Sequence, residues 1–220
     1  MNRVVKELYL WYIPAVVLAL LSTIVVYSYM SKHNLNTIYF DKKYTRYVQS
    51  FESLEPFFYL SSWVGSTPGI LLATIPVIRH LFNKRQVNMA WACIIISAQS
   101  FIIPFISKHF FNRERPYNNQ PFGEHSVTYA FPSGHSVVAP CLFFILIWLL
   151  QKEYSIGLLT VPFFIFQLIG VCASRVYYQT HFPTDMIGGL VASFVNLAVF
   201  GCGLYLRRDL FRGEGLVKKQ

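Results

Sequence analysis

The chain has 220 residues, of which 54% are hydrophobic, 17% aromatic and only 13% charged; a water-soluble domain carries about 25% charged residues. That balance argues against a soluble fold and sends most of the apolar content to lipid. The net charge of +9 would suit a nucleic-acid binder. However, no basic run interleaved with aromatics lies outside the segments that flank apolar stretches, and membrane proteins gather Lys and Arg in cytoplasmic loops. No nucleic-acid partner is expected.

In chain order, a short basic segment with Arg3 and Lys6 precedes the first apolar run, 10–30, which is long enough to cross the ~30 Å hydrocarbon core. It reads as an uncleaved anchor, since no small-residue cleavage site follows it. Residues 31–56 form the largest polar segment. Tyr44, Tyr47, Phe51 and Leu54 recur there at helical spacing, opposite Lys42, Lys43 and Arg46. This describes an amphipathic helix, either lying in the membrane interface or packed on the bundle as a surface helix. The second span, 57–78, contains Gly65, Pro68, Gly69 and Pro76 and is expected to be kinked. The third is 87–107. The fourth, 136–150, is short even when counted from Ser133, and 151–153 reads as a tight turn. The fifth is 155–173 and the sixth 186–206, before a basic tail. The expectation is an all-α polytopic membrane protein: six transmembrane helices, an interfacial amphipathic helix between the first and second, and one domain over 1–220. Cys93, Cys141, Cys172 and Cys202 all fall in apolar runs without CxxC spacing and read as small buried hydrophobes.

Six alternating spans divide the loops into two sets. One set, with both termini, carries eleven Lys/Arg against four carboxylates; the other carries eight against six. The positive-inside rule then puts both termini in the cytoplasm of a cell membrane. Three stretches rich in polar and ionisable residues, 108–116, 130–137 and 174–185, fall together on the opposite face.

Each stretch has a plain reading and a chemical one. Lys108 and Arg115 are seven apart and would share a face if the third helix ran on. They can bind an anion, or only anchor a helix end by snorkelling, as Arg113 is expected to do. Ser133 is a natural N-cap, so the Gly134 N–H and its neighbours can receive an anion or merely start the fourth span. His135 stands in that first turn. Arg175 ends the fifth span, and Pro183 opens the sixth. Asp185 can reach back four residues to His181, either as a helix cap or to fix the imidazole tautomer and leave the other nitrogen nucleophilic. Taken together, Lys108, Arg115 and Arg175 suit a phosphoryl group, with Ser133 and Gly134 completing the cradle. His181 suits attack and His135 protonation of the leaving oxygen. A metal is not expected beside so many cations, and no cofactor is implied.

These stretches read K-x6-R-P, P-S-G-H and S-R-x5-H-x3-D, with all eleven specified positions filled. They resemble the three-part signature of the type 2 phosphatidic acid phosphatase superfamily, which includes bacterial lipid phosphatases and vanadium haloperoxidases. The resemblance implies a metal-independent phosphatase. His181 would form a phosphohistidine and Asp185 would orient it. His135 would be the general acid, while Lys108, Arg115, Ser133, Gly134 and Arg175 hold the phosphate. It also implies a lipid phosphate as partner, undecaprenyl pyrophosphate or a glycerophospholipid phosphate foremost, and no obligate protein partner. The alternatives are a lipid phosphotransferase or lipid A phosphatase using the same residues. A transporter with an anion site is disfavoured because the spans are nearly free of charge. The loop 117–131, with Glu124 and His125, would touch the headgroup or simply be solvated.

Overall fold

A computed structural model describes residues 3–30, 35–116 and 128–206, with side chains from Leu10 onward. Glu124, His125 and the basic residues of the tail lie outside the described residues, as do the side chains of Arg3 and Lys6. The described residues form eight α-helices and no strand: α1 (Arg3–Tyr29), α2 (Leu35–Gln49), α3 (Glu55–Val64), α4 (Thr67–Asn83), α5 (Val87–Phe111), α6 (Gly134–Tyr154), α7 (Gly157–Tyr177) and α8 (Pro183–Leu206). Five are long and apolar enough to cross a membrane, counting Leu10–Tyr29 of α1. The α3–α4 pair supplies a sixth if it is taken as one bent span. Leu158, Leu159 and Phe163 on α7, like Leu10 and Val25 on α1, are largely exposed. Apolar surface on this scale belongs against lipid chains. The protein is a multi-pass membrane protein.

The kink expected in the second span is a full break. Its two halves diverge by 55°. A new helix start accounts for it: Ser66 adopts extended backbone and its Oγ accepts the Gly69 N–H at 3.3 Å. Pro68 then sits in the first turn, where its missing N–H costs nothing.

Two other expectations change. The fourth span is not short, since α6 runs for 21 residues through the expected turn at 151–153. It ends at Ser155, in left-handed conformation with φ 58°. Glu153 is thereby brought to an ion pair with Lys84 that closes the far end of the bundle. The helix in 31–56 stops at Gln49, and a separate 3-10 turn follows at Glu52–Leu54. Both readings of α2 hold in part. It packs on α7 and α8 and buries Thr37 and Asp41 there. Tyr39 and Tyr47 remain largely exposed.

Within the bundle α1 lies along α8, and α6 packs between α5, α7 and α8. Close approach of α6 to α8 depends on Gly189. A Cβ there would lie 2.0 Å from Ser136 Oγ and 2.8 Å from the Ser133 carbonyl. Backbone cannot yield as a side chain can, so overpacking follows. Gly189→Ala is expected to destabilise the protein by about 1–3 kcal/mol. A drop of several degrees in detergent melting temperature would show it; an unchanged melting temperature would contradict this packing.

Candidate active site

The C-terminal ends of α5 and α7, the N-terminal starts of α6 and α8, and the α3–α4 break meet at one end of the bundle. They surround a cavity of about 470 Å³, whose lining includes Lys108, Arg115, Gly134, His135, Arg175 and His181. Six of the eight residues expected from sequence therefore face one space. The other two, Ser133 and Asp185, are fully buried behind it.

Helix ends position the lining groups, because the last carbonyls and first N–H groups of a helix have no partner inside it. At the end of α7 the Arg175 carbonyl accepts the Thr180 N–H (3.1 Å), the His181 N–H (3.2 Å) and the Thr180 hydroxyl (3.0 Å). That turn places His181 beside the cavity. The Arg175 guanidinium, 2% exposed, donates to Ser62 Oγ at 2.8 Å. Ser62 belongs to α3, so the broken span braces this cation. At the start of α6, a Cβ on Gly134 would meet nothing within 4 Å. The space beside its backbone is open to a ligand.

Lys108 and Arg115 converge, but not along one helix. Asn112 ends α5 in left-handed conformation, φ 49°, which Asn tolerates better than most residues. The chain then turns back. Arg115 is held by the Thr128 carbonyl (2.7 Å), Thr128 Oγ1 (3.0 Å) and the Thr180 carbonyl (2.8 Å). Its Nη1 also lies 3.3 Å from His181 Nε2. A guanidinium can only donate, so Nε2 is the acceptor and the ring proton belongs on Nδ1. Nδ1 stands 3.5 Å from Asp185 Oδ2, beyond good hydrogen-bond distance. Asp185 Oδ2 is held instead by the Phe182 N–H at 2.8 Å, the reach-back of a capping box.

Ser133 departs from expectation. It occupies the N-cap of α6, yet its side chain makes no capping bond. Its Oγ is buried without a hydrogen-bond partner among the described residues, and its N–H donates to the Asp185 carbonyl at 3.1 Å. Its visible role is to tie α6 to α8.

Arg113 departs further. Far from snorkelling, it is 6% exposed and bonds Asp185 Oδ1 (2.6 Å), Thr184 Oγ1 (2.7 Å) and Asp41 Oδ2 (2.7 Å). Asp41 in turn accepts the Thr184 N–H at 3.1 Å and its hydroxyl at 2.9 Å. Sequence reasoning missed Arg113, Asp41 and Ser62. One signal was available: Asp41 is the single carboxylate within α2, four residues after Thr37 on one face. Attention went instead to the aromatic stripe that starts at Tyr44, whose members stay exposed.

The electrostatics suit a nucleophile. Burial, and then the positive charges of Arg115, Lys108 and Arg175, hold the His181 imidazole well below its usual titration range. Arg115 is itself lowered by burial but remains a cation, as guanidinium does in proteins. Among the described residues no group of three or more His, Cys, Asp or Glu is placed to hold a metal ion. The arrangement offers a neutral nitrogen nucleophile and a second imidazole beside three cations fitted to an anion.

A family model described as the PAP2 superfamily matches residues 88–208. The chain belongs to the PAP2 superfamily. A relative within it, YbjG of Escherichia coli, named as a candidate undecaprenyl-diphosphatase, is 30% identical over 130 residues. Phosphatidylglycerophosphatase B of Bacillus subtilis is 28% identical over 137 residues. Each alignment takes in 57% of this chain and spans only 61% and 63% of those relatives. The crystal structure of a transmembrane PAP2-type phosphatidylglycerolphosphate phosphatase from Bacillus subtilis superposes with a TM-score of 0.70 at 18% identity. That superposition covers 97% of this chain and all of the other. Aquifex aeolicus LpxE gives 0.54 at 23% identity, covering 73% and 94%. At these identities the structures establish a shared PAP2 membrane fold.

A His181 pKa below the unfolded value of about 6.5 has a definite sign. Below that pH the unfolded chain binds a proton that the native imidazole does not, so stability falls as pH drops. The His181 ring is expected to stay neutral at pH 6.5, and His181→Gln to soften the acid loss of stability. Histidine NMR titration and melting curves from pH 7 to 4.5 would test both; a ring titrating at or above pH 6.5 would contradict them.

Proposed function

We propose that this PAP2 protein is a lipid phosphatase that hydrolyses a lipid phosphate or diphosphate through a phosphorylated His181. The supporting observation is His181: it lines the cavity with Lys108, Arg175 and His135, and its Nε2 lies 3.3 Å from Arg115, which can only donate to it. Arg115, Lys108, Arg175 and the Gly134 N–H bind the equatorial oxygens, where charge spreads during transfer. Nε2 attacks phosphorus as the bond to the lipid oxygen breaks. His135 protonates that oxygen, and the lipid departs as an alcohol or monophosphate. His135 then takes a proton from water as it attacks the phosphohistidine, releasing phosphate and restoring neutral His181. Asp185 faces the Nδ1–H and offsets the positive charge the ring carries while phosphorylated. No step requires a metal. Ser133 stands behind the cradle, where its N–H ties the start of α6 to the Asp185 carbonyl.

A cavity at the end of the membrane helices favours a substrate whose tail stays in lipid. The names of the curated relatives support two substrate classes, undecaprenyl diphosphate and phosphatidylglycerol phosphate. We assign the cavity to the outer face of the cell membrane, with both termini cytoplasmic, on the Lys/Arg distribution. The whole chain then acts as one domain.

Purified protein in detergent, with EDTA present, is expected to release phosphate from one or two lipids in a panel of lipid phosphates and diphosphates. His181→Ala should lower release to background while remaining folded. Transfer of the phosphoryl group to an added lipid alcohol, with no free phosphate, would make the protein a phosphotransferase; neither product under either condition would refute the reading. Vanadate, a phosphoryl mimic, should inhibit, and indifference at millimolar vanadate would count against the cradle.

A further inference from the structure

Behind the cavity, α2 reaches the nucleophile through a chain of buried charges. Asp41 is 2% exposed and Asp185 0%. Arg113 stands between them, one amino group on each carboxylate, at 2.7 and 2.6 Å. Its guanidinium also stacks 4.6 Å from the Phe182 ring centroid, which limits how it can turn. The three charges sum to one net negative charge, next to the His181 Nδ1–H. Without Asp41, Arg113 and Asp185 would cancel and the imidazole would face a neutral pair. Asp41 also lies outside residues 88–208, the stretch that matches the family model.

We infer that Asp41, carried on the helix that flanks the bundle, is a positioning residue for His181. It neutralises Arg113, so that Asp185 keeps its charge for the imidazole as His181 takes up the phosphoryl group. Charge-assisted hydrogen bonds in a dry setting are worth more than neutral ones, and each end of this chain depends on the middle. This rests on the phosphatase reading for its kinetic consequence, but not for its effect on the His181 ring.

A purely structural reading exists, since Asp41 also caps α8 through the Thr184 N–H. Asp41→Asn separates the two. An Asn oxygen caps a helix as well as Asp does, yet it carries no charge for Arg113. Expected in this variant are a kcat per folded enzyme lower by about 10- to 100-fold, the range for losing one hydrogen bond to a charged group, a KM within about threefold and a lowered melting temperature, because the buried Asn amide would face the Arg113 and Thr184 donors. Independently of turnover, 15N spectra of histidine-labelled protein, assigned with His181→Gln, should show the His181 proton on Nδ1. In Asp41→Asn the proton should stay on Nδ1, because Arg115 still occupies Nε2, but the Nδ1–H resonance should shift as Arg113 cancels the Asp185 charge beside it. Arg113→Lys keeps a positive charge but cannot grip both carboxylates, and serves if Asp41→Asn fails to fold; it should reproduce both effects. Unchanged kcat and an unchanged His181 spectrum in a folded variant would overturn the inference, as would a kcat loss that only tracks loss of folded protein. If wild-type protein releases no phosphate from any lipid, the phosphatase reading fails, and the shift of the His181 Nδ1–H resonance alone decides the role of Asp41.

Discussion

A carboxylate taken fully out of water must be matched by opposite charge and hydrogen bonds, or it will protonate instead of holding a charge. Asp185 is such a group, and much of this end of the molecule is arranged to satisfy it. One oxygen takes the Phe182 N–H and the other takes Arg113. Arg113 is equally dry and brings Asp41 with it. Three elements distant in sequence are thereby locked together: α2, the turn after α5 and the start of α8. The His181 ring lies beside this lock, its Nδ1 3.5 Å from Asp185 Oδ2.

The ionisable groups that line the cavity cluster where helices begin and end. Buried helix ends leave backbone groups unmatched, and this fold uses those groups to place side chains. The Arg175 carbonyl gathers Thr180 and His181, while the start of α6 opens its Gly134 backbone to the cavity. The α3–α4 break adds a further helix end and sends Ser62 to Arg175. Charged groups at the ends of spans also avoid the cost of a charge at mid-bilayer.

The family match begins in α5, and two braces of the site lie before it. Ser62 lies in α3 and Asp41 in α2, both before residue 88. The matched portion thus carries the cationic and histidine groups that line the cavity, and the N-terminal portion carries two of the groups bonded to this end of the bundle. Superposition over nearly the whole chain at 18% identity fits that division, because a bundle needs only apolar faces and a few small residues at close crossings, which many sequences supply.

Hydrophobic run length and a handful of chemically distinctive residues were legible without coordinates. Apolar stretches near twenty residues identify spans whatever their neighbours do, and the spacing of Lys108, His135, Arg175, His181 and Asp185 carries its chemistry locally. Local punctuation was less legible: whether Ser66 starts a new helix and whether α6 runs past 151–153 depend on which backbone groups find partners in the folded bundle. Least legible was the second layer. Nothing near Arg113 in sequence distinguishes it from a surface cation, because both its carboxylates are supplied from afar, 72 residues away on either side. Only the tertiary structure decides such a pairing. A buried charge takes its partner from whatever is brought within reach, and distance along the chain carries no record of that.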